Sequence, residues 1–272
     1  MTSINTNSGA LNARASALTA NSKMERAMER LSSGVRVNSA ADDAAGLAVA
    51  GKMESQLRGI NMSIRNAQDG VGLIQTAESG LNEIRNMVLR IRELAVQMAN
   101  GIYENTPDRS NAQLEVTALI NQVTLIAENT RFNDVAVLDG SFTGVTIQAG
   151  NTTAETITLS FVDVASSGLS IHAATIATQS DATVAMGTMD TALETISQEQ
   201  AKFGSLINRL NFSIANQSNA SVTTEQAIGR IMDADFAQET TELSKQQILN
   251  QAATSMLAQA NQSKQSILAL LQ

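Results

Sequence analysis

The sequence predicts a mainly α-helical fold: long nested helices packed as a coiled-coil rod, with a small β-hairpin insertion near the middle. Three observations lead there. Apolar residues recur at alternating steps of three and four over most of the chain, the spacing that gathers side chains on one seam of a helix. The core palette is Ala, Leu, Ile, Val and Met, with 3% aromatics and no Trp. Such a palette suits helices lying side by side better than a core built on ring bulk. Finally, two short runs of strict alternation flank Gly150-Asn151, which is a hairpin signal.

Taken in order, the first stripe is Ile4, Ser8, Leu11, Ala15, Leu18 and Ser22, in a stretch whose only charge is Arg14. Its counterpart at the other end is Leu249, Ala253, Met256, Ala260, Ser263, Ile267 and Leu270, accompanied by Lys264. Both are thin and rich in Ala and Ser, so neither helix gains much by burying its stripe alone. The two termini are expected to pair with each other and then with further copies of the chain. Ile4, Leu11, Leu18, Leu249, Met256, Ile267 and Leu270 are the candidate polymerisation contacts. Residues 1–40 with 230–272 would form a terminal helical domain, and residues 41–229 a rod domain.

Residues 50–98 carry the strongest pattern. Ala50, Met53, Leu57, Ile60, Ile64, Ala67, Val71 and Ile74 step by three and four, and Leu81, Ile84, Val88, Ile91, Ala95 and Met98 resume the stripe. The shift near Glu78 and Gly80 reads as a three-residue irregularity that locally overwinds a coiled coil. A continuous helix here would be about 70 Å long. Asn100-Gly101 is a stop, and Thr106-Pro107-Asp108 opens a helix through Val116, Leu119, Val123 and Ile126. Asn133-Asp134 and Asp139-Gly140 are turn signals. Val145, Ile147 and Ala149 face Ile157, Leu159 and Phe161 in the expected hairpin, within a β region at about 141–183. Residues 163–183 are Ser/Thr/Ala-rich and weakly patterned, which predicts a replaceable outer loop. Helical spacing returns at Ala185, Met189, Ala192, Ile196, Phe203, Ile207, Leu210 and Ile214, with a break expected near Ser218–Thr224.

Composition removes several function classes. The chain has no Cys, which excludes disulfides, thiolate metal sites and a Cys nucleophile. A net charge of −8 argues against nucleic acid as a partner. No apolar run approaches the roughly 18 residues that span a bilayer, so no membrane insertion is expected. The first residues lack the basic start and apolar block of a cleavable signal peptide. Gly46 to Lys52 matches part of a P-loop, but Met53 stands where a hydroxyl should, and no strand precedes it. An Ala-rich helix start accounts for it better. His172 is the only histidine, and a triad hung on it has no further support. Asp42, Asp43, Asp233 and Asp235 sit near predicted helix starts, where carboxylates serve as caps. No catalytic residue, cofactor site or metal site is expected. Arg85, Arg90, Arg92 and Glu93 form a charged face on the long helix, either solvated or salt-bridging between subunits.

The stretch from Leu31 to Ala50, with Ser32-Ser33-Gly34, Asn38-Ser39-Ala40 and Asp42-Asp43 within it, resembles the amino-terminal signature of bacterial flagellins. Arg90-Ile91-Arg92-Glu93-Leu94-Ala95-Val96-Gln97 resembles the same family, and Ile248 to Gln262 is similar to its carboxyl-terminal signature. The likeness covers roughly 1–140 and 185–272, leaving about 45 residues between, so outer variable domains would be absent or vestigial. It implies a subunit of the bacterial flagellar filament, in which paired terminal helices form the inner tube. It also implies an extracellular protein secreted through the flagellar type III export apparatus without a cleaved signal. The implied partners are further copies of itself, an export chaperone, and the filament cap and junction proteins. The vertebrate flagellin-sensing Toll-like receptor would contact a face containing Arg90, Leu94 and Glu115. Hook–filament junction proteins are the nearest rival, and a surface-exposed ligand-binding homologue is the next. An enzyme is the weakest reading.

Overall fold

The computed structural model describes residues 6–269, with side chains as far as Ser263. It divides into two compact units: Met1–Ser55 with Thr223–Gln272, and Gln56–Val222.

In the first unit, α1 (Ser8–Ser33) lies antiparallel to α5 (Phe236–Ala269). The register is set by polar bonds across the pair. Asn7 Nδ2 donates to the Ala260 carbonyl at 3.1 Å, Asn250 Nδ2 donates to Asn21 Oδ1, and Arg30 Nη1 donates to Glu239 Oε1 at 3.1 Å. The side chains turned inward on α1 are Ala10, Ala13, Ala17, Ala20, Met24, Ala27 and Leu31, a seven-residue repeat of almost pure alanine. Those on α5 are Glu239, Leu243, Gln246, Asn250, Ala253, Leu257 and Ala260. The termini therefore pair as expected; on α5 Ala253 and Ala260 of the stripe read from the sequence do turn inward, whereas on α1 the pairing does not use Leu11 and Leu18. Leu11 and Leu18 lie one step round from the alanine seam and remain exposed. Alanine permits close approach of the two helices, whereas leucine at those positions would hold them apart.

Gly34 ends α1 in the left-handed region (φ 74°), its N–H bonded to the Arg30 carbonyl. The chain then pairs briefly with the segment before α5: Ala234 N donates to the Gly34 carbonyl, and Arg36 N to the Met232 carbonyl. Asp42 accepts from the backbone of Asn38 and Ser39, and Asp43 caps the start of α2 (Ala44–Met98) through Gly46 N at 2.8 Å.

The second unit holds most of α2 (Ala44–Met98), α3 (Ser110–Asn129) and α4 (Gln179–Met232) around one apolar core. Its α2 seam runs Ile60, Ser63, Ala67, Gly70, Ile74, Ala77, Leu81, Ile84, Val88, Ile91, Ala95, Met98, all buried. That is an unbroken three–four alternation, so the expected irregularity at Glu78 does not exist. The sequence reading passed over Ser63, Gly70 and Ala77 because they are small or polar. Smallness is what qualifies them: a Cβ on Gly70 would lie 2.3 Å from Ile147 Cδ1. On α3 the buried residues are Val116, Ile120, Val123 and Ala127, with Leu119 and Ile126 half-buried. On α4 the seam includes Ala185, Met189, Ala192, Ile196, Glu199, Phe203 and Leu210. The break expected near Ser218–Thr224 is absent, and α4 is continuous. Ser221 Oγ donating to Asn61 Oδ1 at 3.1 Å shows how this polar run finds a partner within the helical state.

Arg109 closes the α2–α3 corner. Its buried guanidinium donates to the carbonyls of Met98, Asn100 and Tyr103 and to Asn105 Oδ1. These include carbonyls at the end of α2 that a helix leaves without partners. Next, β1 (Arg131–Phe132) and β2 (Val135–Ala136) join through Asn133 and Asp134, both at positive φ (50° and 64°), as a two-residue hairpin turn requires.

The expected larger hairpin is present: β3 (Val145–Gln148) and β4 (Thr156–Leu159) pair with Val145 opposite Leu159 and Ile147 opposite Ile157. It lies on the helices. Asn66 Nδ2 donates to the Gln148 carbonyl, Ser213 Oγ donates to the Ala149 carbonyl, and a Cβ on Gly59 would collide with Asn151. Phe161 stacks on Phe142 (centroids 4.9 Å apart) and meets Phe203 edge-to-face (4.7 Å).

Residues 163–178 correct the sequence reading most sharply. They form no helix or strand, but they are not an outer loop, and residues 179–183 of the expected 163–183 loop already belong to the start of α4. Val164, Leu169, Ile171 and Ile176 are buried in the core. Thr124 Oγ1 donates to Ser166 Oγ at 2.7 Å, Ile176 N to Gln113 Oε1 at 2.6 Å, and Val162 N to the buried Glu199 carboxylate at 3.3 Å. Ser167, Ser170, His172 and Thr175 face solvent between those buried positions, and before the segment Ser141, Thr143, Thr152 and Thr153 are exposed as well.

Candidate assembly surface

Two surface features carry the sequence-predicted residues. The first lies along the α1·α5 pair. Because the inward seam of α1 is nearly all alanine, larger side chains on either flank of the pair are left largely uncovered among the described residues. Leu11 (55% exposed) and Leu18 (60%) stand on α1, and Leu249 (45%) and Met256 (64%) on α5. Leu249 and Met256 flank a groove of about 550 Å³ whose α1 wall is Gly9, Ala13 and Ser16. Full burial of a Leu or Met side chain is worth about 1.5–3 kcal/mol, and each of these retains roughly half of that drive. Four such side chains thus stand exposed on one helix pair. Ile4 and Leu270 lie outside the described residues, and of Ile267 only the helical backbone is described.

The second feature is the charged face of the second unit. Arg90 Nε donates to Glu115 Oε1 on α3 at 2.9 Å, and Arg90 Nη1 donates to Glu93 Oε2 at 3.3 Å. Arg92 Nε instead reaches Asp190 Oδ1 on α4 at 2.6 Å. Donation to the Glu115 carboxylate, then to that of Glu93, raises the Arg90 pKa above its ordinary value, and donation to Asp190 does the same for Arg92. These pairs stay solvated, and water and salt screen exposed ion pairs so that each contributes little. They lace α2 to α3 and to α4. Arg90, Glu93 and Glu115 are thus brought together, Arg92 sits with another partner, and Leu94 (4% exposed) points into the core. Asp190 was not anticipated. It lies next to Met189 on the α4 stripe, and nothing in its own neighbourhood names Arg92, 98 residues away.

Other candidates resolve into local structure. Gly46 to Lys52 is part of α2, without a phosphate-cradling loop. His172 is exposed. Asp235 caps α5 through Ala237 N at 2.9 Å and Gln238 N at 3.3 Å. Among the described residues no three His, Cys, Asp or Glu side chains gather where they could hold a metal ion, and no helix is long and apolar enough to cross a membrane. The sequence reading also missed the pairing of Arg30 with the buried Glu239, which places a charge inside the α1·α5 seam.

Residues 4–143 match the bacterial flagellin N-terminal helical region, and residues 186–271 match the bacterial flagellin C-terminal helical region. The chain is similar to the flagellin of Halalkalibacterium halodurans, at 41% identity over 91% of each chain. It is also similar to the flagellar filament 33 kDa core protein of Treponema phagedenis, at 38% identity over 98% of this chain and 99% of that one. Among solved structures it is similar to Bacillus cereus flagellin, with a TM-score of 0.51, 31% identity, and coverage of 56% of this chain and 88% of that one.

Proposed function

The chain belongs to the bacterial flagellin family and is a structural, non-enzymatic subunit of the flagellar filament, and from that premise we infer that the α1·α5 pair is its polymerisation element. In this reading, residues 1–40 and 230–272 form the inner tube of the filament, and residues 41–229 the rod around it. Leu11, Leu18, Leu249 and Met256, with Ile4, Ile267 and Leu270, are covered by neighbouring copies. The observation that carries the reading is the row of uncovered large side chains beside an alanine seam too thin to bury them. Burial of those side chains on association supplies the drive.

Arg90, Arg92, Glu93 and Glu115 form the charged face offered to a neighbouring subunit or to the vertebrate flagellin-sensing Toll-like receptor. Leu94 supports that face from inside the core. The filament lies outside the cell. The subunit reaches it uncleaved through the flagellar export apparatus, with an export chaperone, the filament cap and the junction proteins as further partners.

The test is the critical concentration for polymerisation of Leu249→Asp with Met256→Asp. Helix content should be retained, because both positions are exposed, while the critical concentration rises at least tenfold, equivalent to about 1.4 kcal/mol per subunit. Filament growth at the unaltered critical concentration would remove the groove from the polymerisation surface.

A further inference from the structure

With no Cys and no Trp in the chain, methionine thioethers are the side chains most open to two-electron oxidation. The fold treats its methionines unequally. Met98 and Met189 are sealed in the core, and among the described residues only Met28, Met62 and Met256 are exposed. The Met62 sulfur accepts a hydrogen bond from the Arg65 guanidinium, which occupies one of its two lone pairs and makes it a poorer nucleophile. Met256 is the most exposed of the three. It stands beside the groove whose α1 wall is Gly9, Asn12, Ala13 and Ser16, small or short side chains that leave it 64% exposed.

We propose that Met256 is an oxidation site that gates assembly: a peroxide converts its thioether to the sulfoxide in the free subunit, and the sulfoxide keeps a second copy from covering the groove. The proposal rests on the reading of that groove as a polymerisation surface. In the step, the sulfur attacks the peroxide's oxygen, the O–O bond breaks and an S–O bond forms. The proton passes to the departing oxygen, which leaves as water from hydrogen peroxide or as an alcohol from an alkyl peroxide. Sulfur loses two electrons and the peroxide gains them. An apolar, flexible side chain becomes a dipole with a strong acceptor oxygen. Covering that oxygen against another copy's aliphatic surface, with no donor, opposes association. Once a subunit is incorporated, the covered sulfur is out of the oxidant's reach. The gate therefore acts before addition and not on the finished polymer. Enzymatic reduction of the sulfoxide reopens it.

Purified subunit is treated with dilute hydrogen peroxide, the oxidation at each methionine is followed by peptide mass spectrometry, and the critical concentration is then measured by sedimentation. Met256 should oxidise fastest, and the critical concentration should rise about tenfold or more. Methionine sulfoxide reductase should restore it. Met256→Leu keeps apolar bulk without sulfur, so its assembly should be indifferent to the same treatment. Assembly of Met256→Leu that is as peroxide-sensitive as the parent, or full assembly of chain oxidised at Met256, overturns the proposal. Met256→Gln, polar without any oxidant, separates the two readings. Its normal assembly would sink the groove as a polymerisation surface. Its failure alongside unimpaired assembly of the oxidised chain would sink the oxidation site alone.

Discussion

Replacing Ile171 by alanine tests whether the irregular segment 163–178 is part of the core. Ile171 is completely buried, on a stretch with no helix or strand of its own, and it packs in the same cluster as Val164, Leu169 and Ile176. Removing a buried Ile side chain costs about 2–5 kcal/mol, the transfer term plus the cavity left behind. A domain of this size loses roughly 2–4 °C of Tm per kcal/mol, so a drop of roughly 5–15 °C is expected for the second unit. Differential scanning calorimetry of the subunit reads it, with His172→Ala, an exposed neighbour, as the reference. Exchanging the whole segment for a Gly/Ser linker would remove four buried aliphatic side chains, worth about 6–12 kcal/mol at about 1.5–3 each. That matches the entire stability of an ordinary domain, so the second unit should fail to fold. If Ile171→Ala and His172→Ala melt together, the segment is a surface loop after all and the core assignment is wrong.

Arg109→Ala should destabilise the second unit by about 3 kcal/mol, since buried carbonyls at the α2–α3 corner lose a charged donor; urea unfolding measures it, and a loss under 1 kcal/mol would contradict the corner's role. In the hairpin, Ile157→Asp places a carboxylate on the buried face of β4 and should lower Tm by several degrees, whereas Thr158→Asp on the exposed face should be tolerated; equal, small effects would detach the hairpin from the helices. Hydrogen bonds from the Ser39 backbone and hydroxyl hold the Asp42 carboxyl below its ordinary pKa of 3.8. A carboxyl with a depressed folded-state pKa contributes stability above its unfolded value and loses it as pH falls through the folded one. Acid titration of helix content below about pH 4 should therefore be shallower in Asp42→Asn than in the parent, and superimposable curves would refute that link.

Much of the architecture was legible because long helices repeat their signal. Ile84, Val88, Ile91 and Ala95 announce a buried seam by spacing and size alone, and the Ile157–Leu159–Phe161 alternation announced its strand. What escaped has a common cause. Ser63, Gly70 and Ala77 are buried because something large approaches them, and that approaching group lies far away in the chain. The alanine face of α1 was overlooked for Leu11 and Leu18, since apolar bulk was taken as the mark of the inward side. In an assembling subunit the larger residues can be the ones left outside. Residues 163–178 were hidden differently: a chain that coils without a repeat gives no period, so Val164 and Ile171 look like isolated apolar residues among Ser and Thr. For the charged face, Arg90 and Glu115 were both picked out, but the pairing of Arg92 with Asp190 depends on how α2 and α4 are aligned.

The central claim is that side chains left bare on the α1·α5 pair are what polymerisation covers. The chain contains no Cys, so a single introduced thiol can be labelled without background. Leu18→Cys and Thr152→Cys are compared for their rates of maleimide labelling in the free subunit and in the filament. Both should label rapidly when free, because both positions are exposed. In the filament the thiol at position 18 should be protected by at least tenfold while that at 152 stays reactive. Equal labelling at position 18 in subunit and filament would contradict the account.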